Sequence, residues 1–347
     1  MRVGEGMIKA SAPGRAGIIG NPTDMYGGSV ISCSISERAY CQLLPSEQSV
    51  IRMDGDAVVL AGRDSLALDG GKFDLAKAAL QALEVDPAAD KLTLTLRTDV
   101  PEQAGLAGST AMLACAVGCL LAYLGLDLNK YELAETLRKI EADIMKITCG
   151  YQDHYMTVFG GLNYMDFRGK EMMRQTKDEP FATVEPLSEI VGEPPMILAH
   201  TGVKRCSGSV HKSLRERWLE GEKQVVEGYI RIAELGRLGK KALLARDWKT
   251  LGELMNENHA IQRDLGGSGE SNERLIEAAL SHGALGAKLA GAGHGGTIIA
   301  LAEEPDHLAK DLLNAGASRI ITPKPAEGLV TEREWSVDYH EQGSGTH

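Results

Sequence analysis

The sequence predicts an α+β chain of two sheet-plus-helix domains, and three observations predict it. Its 347 residues, 43% of them hydrophobic, suffice for two cores, since domains hold roughly 100–200 residues each. Strand-like alternation and helix-like periodicity both recur along the chain. A polar stretch at 168–195, carrying Glu193-Pro194-Pro195, reads as a linker. The resulting division is 1–190, 191–340 and a small polar tail at 341–347 predicted to be disordered.

Residues 7–60 alternate as strands at 8–12, 29–35, 39–44 and 49–53, punctuated by Gly and Pro. Residues 72–84 read as a helix. Lys91-Leu-Thr-Leu-Thr-Leu-Arg97 alternates strictly and predicts a half-buried strand. An apolar helix follows over 111–124. Residues 129–146 repeat apolar side chains at helical spacing, with Asn129 as the cap. Strands are predicted at 160–167 and 196–200, helices at 208–245, 247–260 and 271–282, and a strand, glycine loop and strand at 287–301. There is no internal repeat.

The net charge of -11 argues against nucleic acid or an anionic membrane as partner, so an anionic substrate would need a local concentration of positive charge. Six cysteines (33, 41, 115, 119, 149 and 206) form no CxxC and read as reduced intracellular thiols, with Cys115 and Cys119 as core fillers. The start of the chain has no signal-peptide pattern, and 111–124 is too short to span a bilayer. The expected compartment is the cytoplasm, and the expected state is monomer or homodimer.

Residues 101–112 carry the most chemical information. A loop with Gly105, Leu106, Ala107, Gly108, Ser109 and Thr110 runs into the apolar helix that begins at Ala111. Glycines let a backbone approach a ligand, and a helix N-terminus offers free N–H groups and partial positive charge. Together they predict a phosphate cradle; an ordinary strand–turn–helix corner is the alternative. Three companions accompany it. Residues 12–28 pack Arg15 and Asp24 among glycines between two strands. Lys288-Leu-Ala-Gly291-Ala292-Gly293-His294-Gly295-Gly296 is a second flexible loop. Glu141 precedes Cys149-Gly-Tyr-Gln-Asp153-His. Phosphoryl transfer needs these parts: a backbone cradle, a carboxylate and a hydroxyl for Mg²⁺, a positioned base and a cation facing the phosphoryl group. Taken singly, Asp153 reads equally as a loop or cap residue and Glu141 as a solvated helix face.

In this order the segments resemble the three signature motifs of the GHMP kinases, which include galactokinase, homoserine kinase, mevalonate kinase and phosphomevalonate kinase. The resemblance spans about 8–325. Gly20-Asn-Pro-Thr-Asp24, the 101–111 loop, Tyr151-Gln-Asp-His through Phe167 and the stretch 207–218 are similar to glucuronokinases. The third motif, Gly291-Ala-Gly-His-Gly-Gly296, and residues 253–283 look more like galactokinase or heptose-phosphate kinases. The resemblance implies a ribosomal protein S5 domain 2-like N-terminal domain and a ferredoxin-like C-terminal domain.

It also implies roles. Asp153 would be the base at the substrate hydroxyl, and Arg15 would face that hydroxyl, a structural salt bridge being the alternative. Glu141 would hold Mg²⁺ together with Thr110 or Ser109. Backbone N–H groups from Gly105 to Ser109, with Thr110 and Ala111 behind them, would hold ATP phosphates. Asp24 would contact sugar hydroxyls. Gly291, Ala292, Gly293 and Gly295 would form the family's glycine-rich third motif. Tyr151, Gln152 and Tyr164 would line the pocket or pack in the core, and Tyr26 would shape the nucleotide side. A uronate carboxylate needs a cation. Lys204, Arg205, His211, Lys212, Arg215 and Arg217 are the candidates, with Arg205 and Arg217 foremost and a solvated basic face as alternative. The activity implied is ATP- and Mg²⁺-dependent phosphorylation of the anomeric hydroxyl of D-glucuronate. Another sugar 1-kinase or a heptose 7-phosphate kinase is the alternative. A non-catalytic sugar and ATP sensor has no need of Asp153, Glu141 and Arg15, and a decarboxylase fits the Gly-Tyr-Gln-Asp context less well.

Overall fold

The computed structural model describes residues 6–170, 179–203, 213–291 and 293–335. Its strands are β1 (Gly6–Ile19), β2 (Ser29–Pro45), β3 (Ser49–Met53), β4 (Asp56–Leu60), β5 (Leu92–Thr98), β6 (Leu162–Asp166), β7 (Thr183–Pro186), β8 (Met196–His200), β9 (Gly286–Leu289), β10 (Thr297–Leu301), β11 (Arg319–Ile321) and β12 (Val330–Trp335). They form two sheets. One has eight strands in the order β12-β1-β2-β5-β3-β4, with β6 pairing β2 and β7 pairing β6. The other has the order β11-β8-β10-β9.

The long β1–β2 hairpin is the spine of the first sheet. Its register shifts between Pro13 and Arg15 and again between Gly17 and Ile19. Such bulges re-aim a side chain, and the first shift falls at Arg15. In β5 the leucines at 92, 94 and 96 are buried while the threonines between them face outward, as strict alternation requires.

The helix Gly108–Leu124 is apolar on every side, and the structure accounts for it. The helix lies across β1 and β2, with the helices Asp74–Ala82 and Gln152–Phe159 against its other flanks. Cys115 and Cys119 are fully buried in it, and burial pushes the Cys115 thiol well above its ordinary range.

In the second sheet, β8 turns Ile197 and Ala199 toward the helices Glu270–Ser281 and Pro305–Asn314. Met196 and Leu198 point to the other face, covered by Lys223–Ala245 and Trp248–Asp264. That second cluster also includes Ile18, Ile19, Ile31 and Leu162 of the first sheet, so the two sheets share one apolar junction.

Several elements differ from the expectations. The 168–195 stretch contains β7, which extends the first sheet through β6. Residues 330–335, inside the stretch assigned to the second domain, return as β12 to pair with β1. The helix over 129–146 is capped by Asn129 as expected, its side chain accepting from Tyr131 and Glu132 N–H. It remains α-helical only to Lys139, and Ile140–Ile144 forms a π-turn. The helix over 208–245 divides into Leu214–Leu219 and Lys223–Ala245 around Gly221. Among the described residues no helix is long and apolar enough to cross a membrane. The 341–347 tail lies outside the described residues.

Candidate active site

The loop before the helix Gly108–Leu124 is held from both sides. Arg15 N–H donates to Leu106 O at 3.0 Å, and Arg15 Nη1 donates to Gly105 O at 2.5 Å. From the other side Gly291 abuts Gly105: a Cβ added at Gly291 would sit 2.7 Å from Gly105 O. Only glycine allows that approach. Ala107 adopts φ 60, a left-handed conformation rare for a residue with a Cβ, immediately before the helix. The first helical bond runs from Ala111 N–H to Ala107 O, so the N–H groups of Gly108, Ser109 and Thr110 precede the ladder and remain for a ligand. Leu106 and Ala111 are buried and anchor the loop.

Arg15 is 5% exposed and grips Asp153. Its Nε lies 2.7 Å and its Nη2 2.6 Å from Asp153 Oδ1. Asp153 is the second residue of the helix Gln152–Phe159, and Asp24 fixes where that helix starts. Asp24 Oδ2 accepts the N–H groups of Tyr151 at 2.7 Å and Gln152 at 3.0 Å. Gly150 makes room for it, since a Cβ there would lie 2.0 Å from Asp24 Oδ2. Among the described residues Asp24 Oδ1 is buried without a hydrogen-bond partner. Burial lifts the Asp24 carboxyl from 3.8 to about 6 and the charge of Asp153 adds to it, while the two N–H donors and Arg15 oppose the rise.

Thr110 Oγ1 donates to Glu141 Oε1 at 2.8 Å, while Ser109 is exposed at the helix start. Thr110, not Ser109, therefore faces the carboxylate. Two hard oxygen donors at the start of this helix fit Mg²⁺, which prefers such ligands and keeps several waters. Glu141 sits on the π-turn, with His154 Nε2 3.1 Å from its Oε2. Burial alone would raise the Glu141 carboxyl, yet His154, Thr110 and Cys149 together hold it below the usual range. The same burial would lower His154, but the carboxylate of Glu141, with Cys149, lifts it to about 10.

This assembly has known counterparts. Residues 74–161 match the GHMP kinases N terminal domain, 240–318 the GHMP kinases C terminal domain, and 3–44 the galactokinase galactose-binding signature. The chain is 30% identical over 324 residues to Arabidopsis thaliana probable glucuronokinase 2, covering 87% of each chain. The chain belongs to the GHMP kinases. As a member of this family it is a phosphotransferase. It is also 27% identical over 309 residues to the Campylobacter jejuni D-glycero-alpha-D-manno-heptose 7-phosphate kinase, covering 83% of this chain and 87% of that one. The crystal structure of Lactococcus lactis galactokinase complexed with galactose shares the fold. Its TM-score is 0.74 at 19% identity, covering 93% of this chain and 95% of that one.

The other expected site residues of this GHMP kinase are distributed unevenly. Gly293 and Gly295 shape the third-motif loop: both have positive φ, and Gly295 N–H donates to Asn272 Oδ1 at 2.7 Å. His294 ties that loop to Gly266 O at 3.0 Å. Gln152 Oε1 accepts from Ser32 Oγ at 3.3 Å. Tyr151 is fully buried, with its hydroxyl 2.9 Å from Glu179 Oε1 and Arg138 and Lys170 over its ring, so it is a core residue. Tyr164 donates to Ser29 Oγ at 3.0 Å. Tyr26 packs against Trp218 and Tyr229 in tilted ring pairs, with centroids 4.8 and 4.7 Å apart. Arg217 is committed elsewhere: it forms two bonds to Glu222, at 2.8 and 2.6 Å, and a third to Leu265 O at 2.7 Å. A carboxylate reader needs a free guanidinium, and this fork is occupied. Arg205, Lys204, His211, Lys212 and Ala292 lie outside the described residues.

Sequence reasoning missed two features. His154 and Cys149 both reach Glu141; the visible signal was their adjacency to Asp153 in one short segment. Lys288, 1% exposed, donates to Asn21 Oδ1 at 2.7 Å and Leu289 O at 2.5 Å beside the motif-one loop. Burial, reinforced by Arg15, lowers the Lys288 amine to about 7.

Proposed function

We propose that this kinase transfers the γ-phosphoryl group of ATP to a sugar hydroxyl, the anomeric hydroxyl of D-glucuronate. The observation that carries the chemistry is Arg15, which joins Asp153 to Gly105 of the phosphate loop through one guanidinium. The sugar assignment rests on the 30% identity to the glucuronokinase relative.

In this reading the loop N–H groups and the helix N-terminus hold the phosphates of ATP. The substrate hydroxyl lies beside Asp153. As its oxygen bonds to the γ-phosphorus, its proton passes to the Asp153 carboxylate and the bond to the β–γ bridging oxygen breaks, releasing ADP. Arg15 holds Asp153 in place and offsets charge on the transferring group. Glu141 and Thr110 would hold Mg²⁺, which when bound neutralises charge on the phosphate oxygens. Asp24 Oδ1, buried and unpartnered among the described residues, is an acceptor for a sugar hydroxyl. With Arg217 engaged by Glu222, Arg205 is the carboxylate reader this proposal retains.

The heptose 7-phosphate kinase relative favours a second reading, a phosphorylated sugar in the same cleft. ADP release with MgATP across glucuronate, galacturonate, galactose, heptose 7-phosphate and mevalonate separates the two. A ³¹P spectrum of the product locates the phosphate. Turnover confined to uronates with an anomeric phosphate supports the first reading. Turnover on the heptose phosphate alone replaces it.

A further inference from the structure

Phosphoryl transfer uses Glu141 but makes no use of two neighbours that converge on it. Cys149 is half-buried and His154 fully buried, and one ligand-capable atom from each of Glu141, Cys149 and His154 lies within 4.8 Å of the other two. His154 Nε2 is 3.1 Å from Glu141 Oε2, yet neither ring nitrogen has an aligned hydrogen-bond partner among the described residues. The three side chains come from three local structures: the π-turn Ile140–Ile144, the loop after it, and the first turn of Gln152–Phe159.

Donor chemistry narrows the ligand. Magnesium and calcium take oxygen donors, whereas a thiolate, an imidazole and a carboxylate together suit zinc and its neighbours. Three such ligands and one water complete a tetrahedron with bonds of about 2.0–2.3 Å. That geometry places ligand atoms roughly 3–4 Å apart, so the cluster contracts only slightly to grip an ion. We propose that Glu141, Cys149 and His154 form a binding site for a thiophilic divalent cation of the zinc class, whose occupancy withdraws Glu141 from magnesium and inhibits transfer. Binding releases the thiol proton of Cys149 and leaves His154 neutral, the ion replacing the imidazolium as counter-charge to Glu141. The inhibitory half rests on the magnesium role given to Glu141 above; the binding half does not.

The test uses the full chain with Co²⁺ as a spectroscopic probe and Zn²⁺ as competitor. One equivalent of Co²⁺ should give a thiolate-to-cobalt charge-transfer band, and Zn²⁺ should abolish it. Cys149→Ser should lose the band and bind Zn²⁺ at least about tenfold more weakly. Zn²⁺ should inhibit the wild-type enzyme, and excess Mg²⁺ should relieve the inhibition. An unchanged band in Cys149→Ser, or no band in the wild-type protein, overturns the site. Cys149-dependent binding without inhibition keeps the site and removes Glu141 from the magnesium role. Should Cys149→Ser fail to fold, alkylation of Cys149 in the wild-type chain reads the same contact. Protection by Zn²⁺ supports the site and its absence overturns it.

Discussion

Arg15 places two guanidinium nitrogens, Nε at 2.7 Å and Nη2 at 2.6 Å, on a single oxygen of Asp153. The third nitrogen reaches the carbonyl of Gly105 at 2.5 Å. One side chain thus fixes the distance between a carboxylate and the loop that leads into the helix Gly108–Leu124. In the function proposed above, the substrate proton passes to the Asp153 carboxylate that this guanidinium holds.

Asp153→Asn keeps size and shape but cannot take that proton. A positioned general base is worth about 10²–10⁴-fold, so kcat should fall by that range while ATP binding is unchanged. Rapid-quench or steady-state ADP release, paired with nucleotide binding by calorimetry, checks both halves. Turnover near the wild-type rate would remove Asp153 from the role.

The Thr110–Glu141 contact makes a second, discriminating expectation. Glu141→Gln and Thr110→Val should each raise the Mg²⁺ concentration for half-maximal rate roughly tenfold, equivalent to ~1.4 kcal/mol. Ser109→Ala should leave that titration alone, because Ser109 is exposed and does not face Glu141. A larger effect at Ser109 than at Thr110 would reverse the assignment.

Local pattern carried much of this site. The Asn129 cap, the β8 bounds, and the small-residue loop before an apolar helix are written in adjacent residues, and that loop positions Thr110. What pattern could not carry is long-range pairing. β12 reads Val-Thr-Glu-Arg-Glu-Trp, a polar run with one edge partner, and nothing local links it to β1 some 320 residues away. The π-turn that brings Glu141 to His154 has no propensity signature, so Cys149 and His154 read as bystanders. Arg217 failed for a nearer reason: Gly221 turns the chain so that Glu222 folds back onto it.

That engagement separates the two arginines by experiment. Arg217→Met removes a bond to Leu265 O and a partly exposed ion pair, so it should lower stability by about 1 kcal/mol or less and slow glucuronate and galactose alike. Arg205→Met should reduce kcat/KM for glucuronate at least about tenfold more than for galactose, the size of one lost charged hydrogen bond. Equal losses on both sugars would show that Arg205 does not read the carboxylate.

Asp24 supplies the last expectation, because it both builds and burdens the fold. Its carboxyl rises from 3.8 to about 6 on burial. The folded chain therefore holds a proton that the unfolded chain releases between those values, and stability declines as pH climbs through that window. Above it the buried carboxylate costs its full amount, on the order of 1–3 kcal/mol. Asp24→Asn keeps an oxygen for the Tyr151 and Gln152 N–H groups and removes the charge. The variant should match the wild type below pH ~4 and exceed it in stability above pH ~6, with weakened sugar binding because the free acceptor Oδ1 becomes part of an amide. Denaturant melts across that pH range, with sugar KM measured beside them, read both effects. A variant that loses stability relative to the wild type as pH rises would show that the Asp24 charge supports the fold.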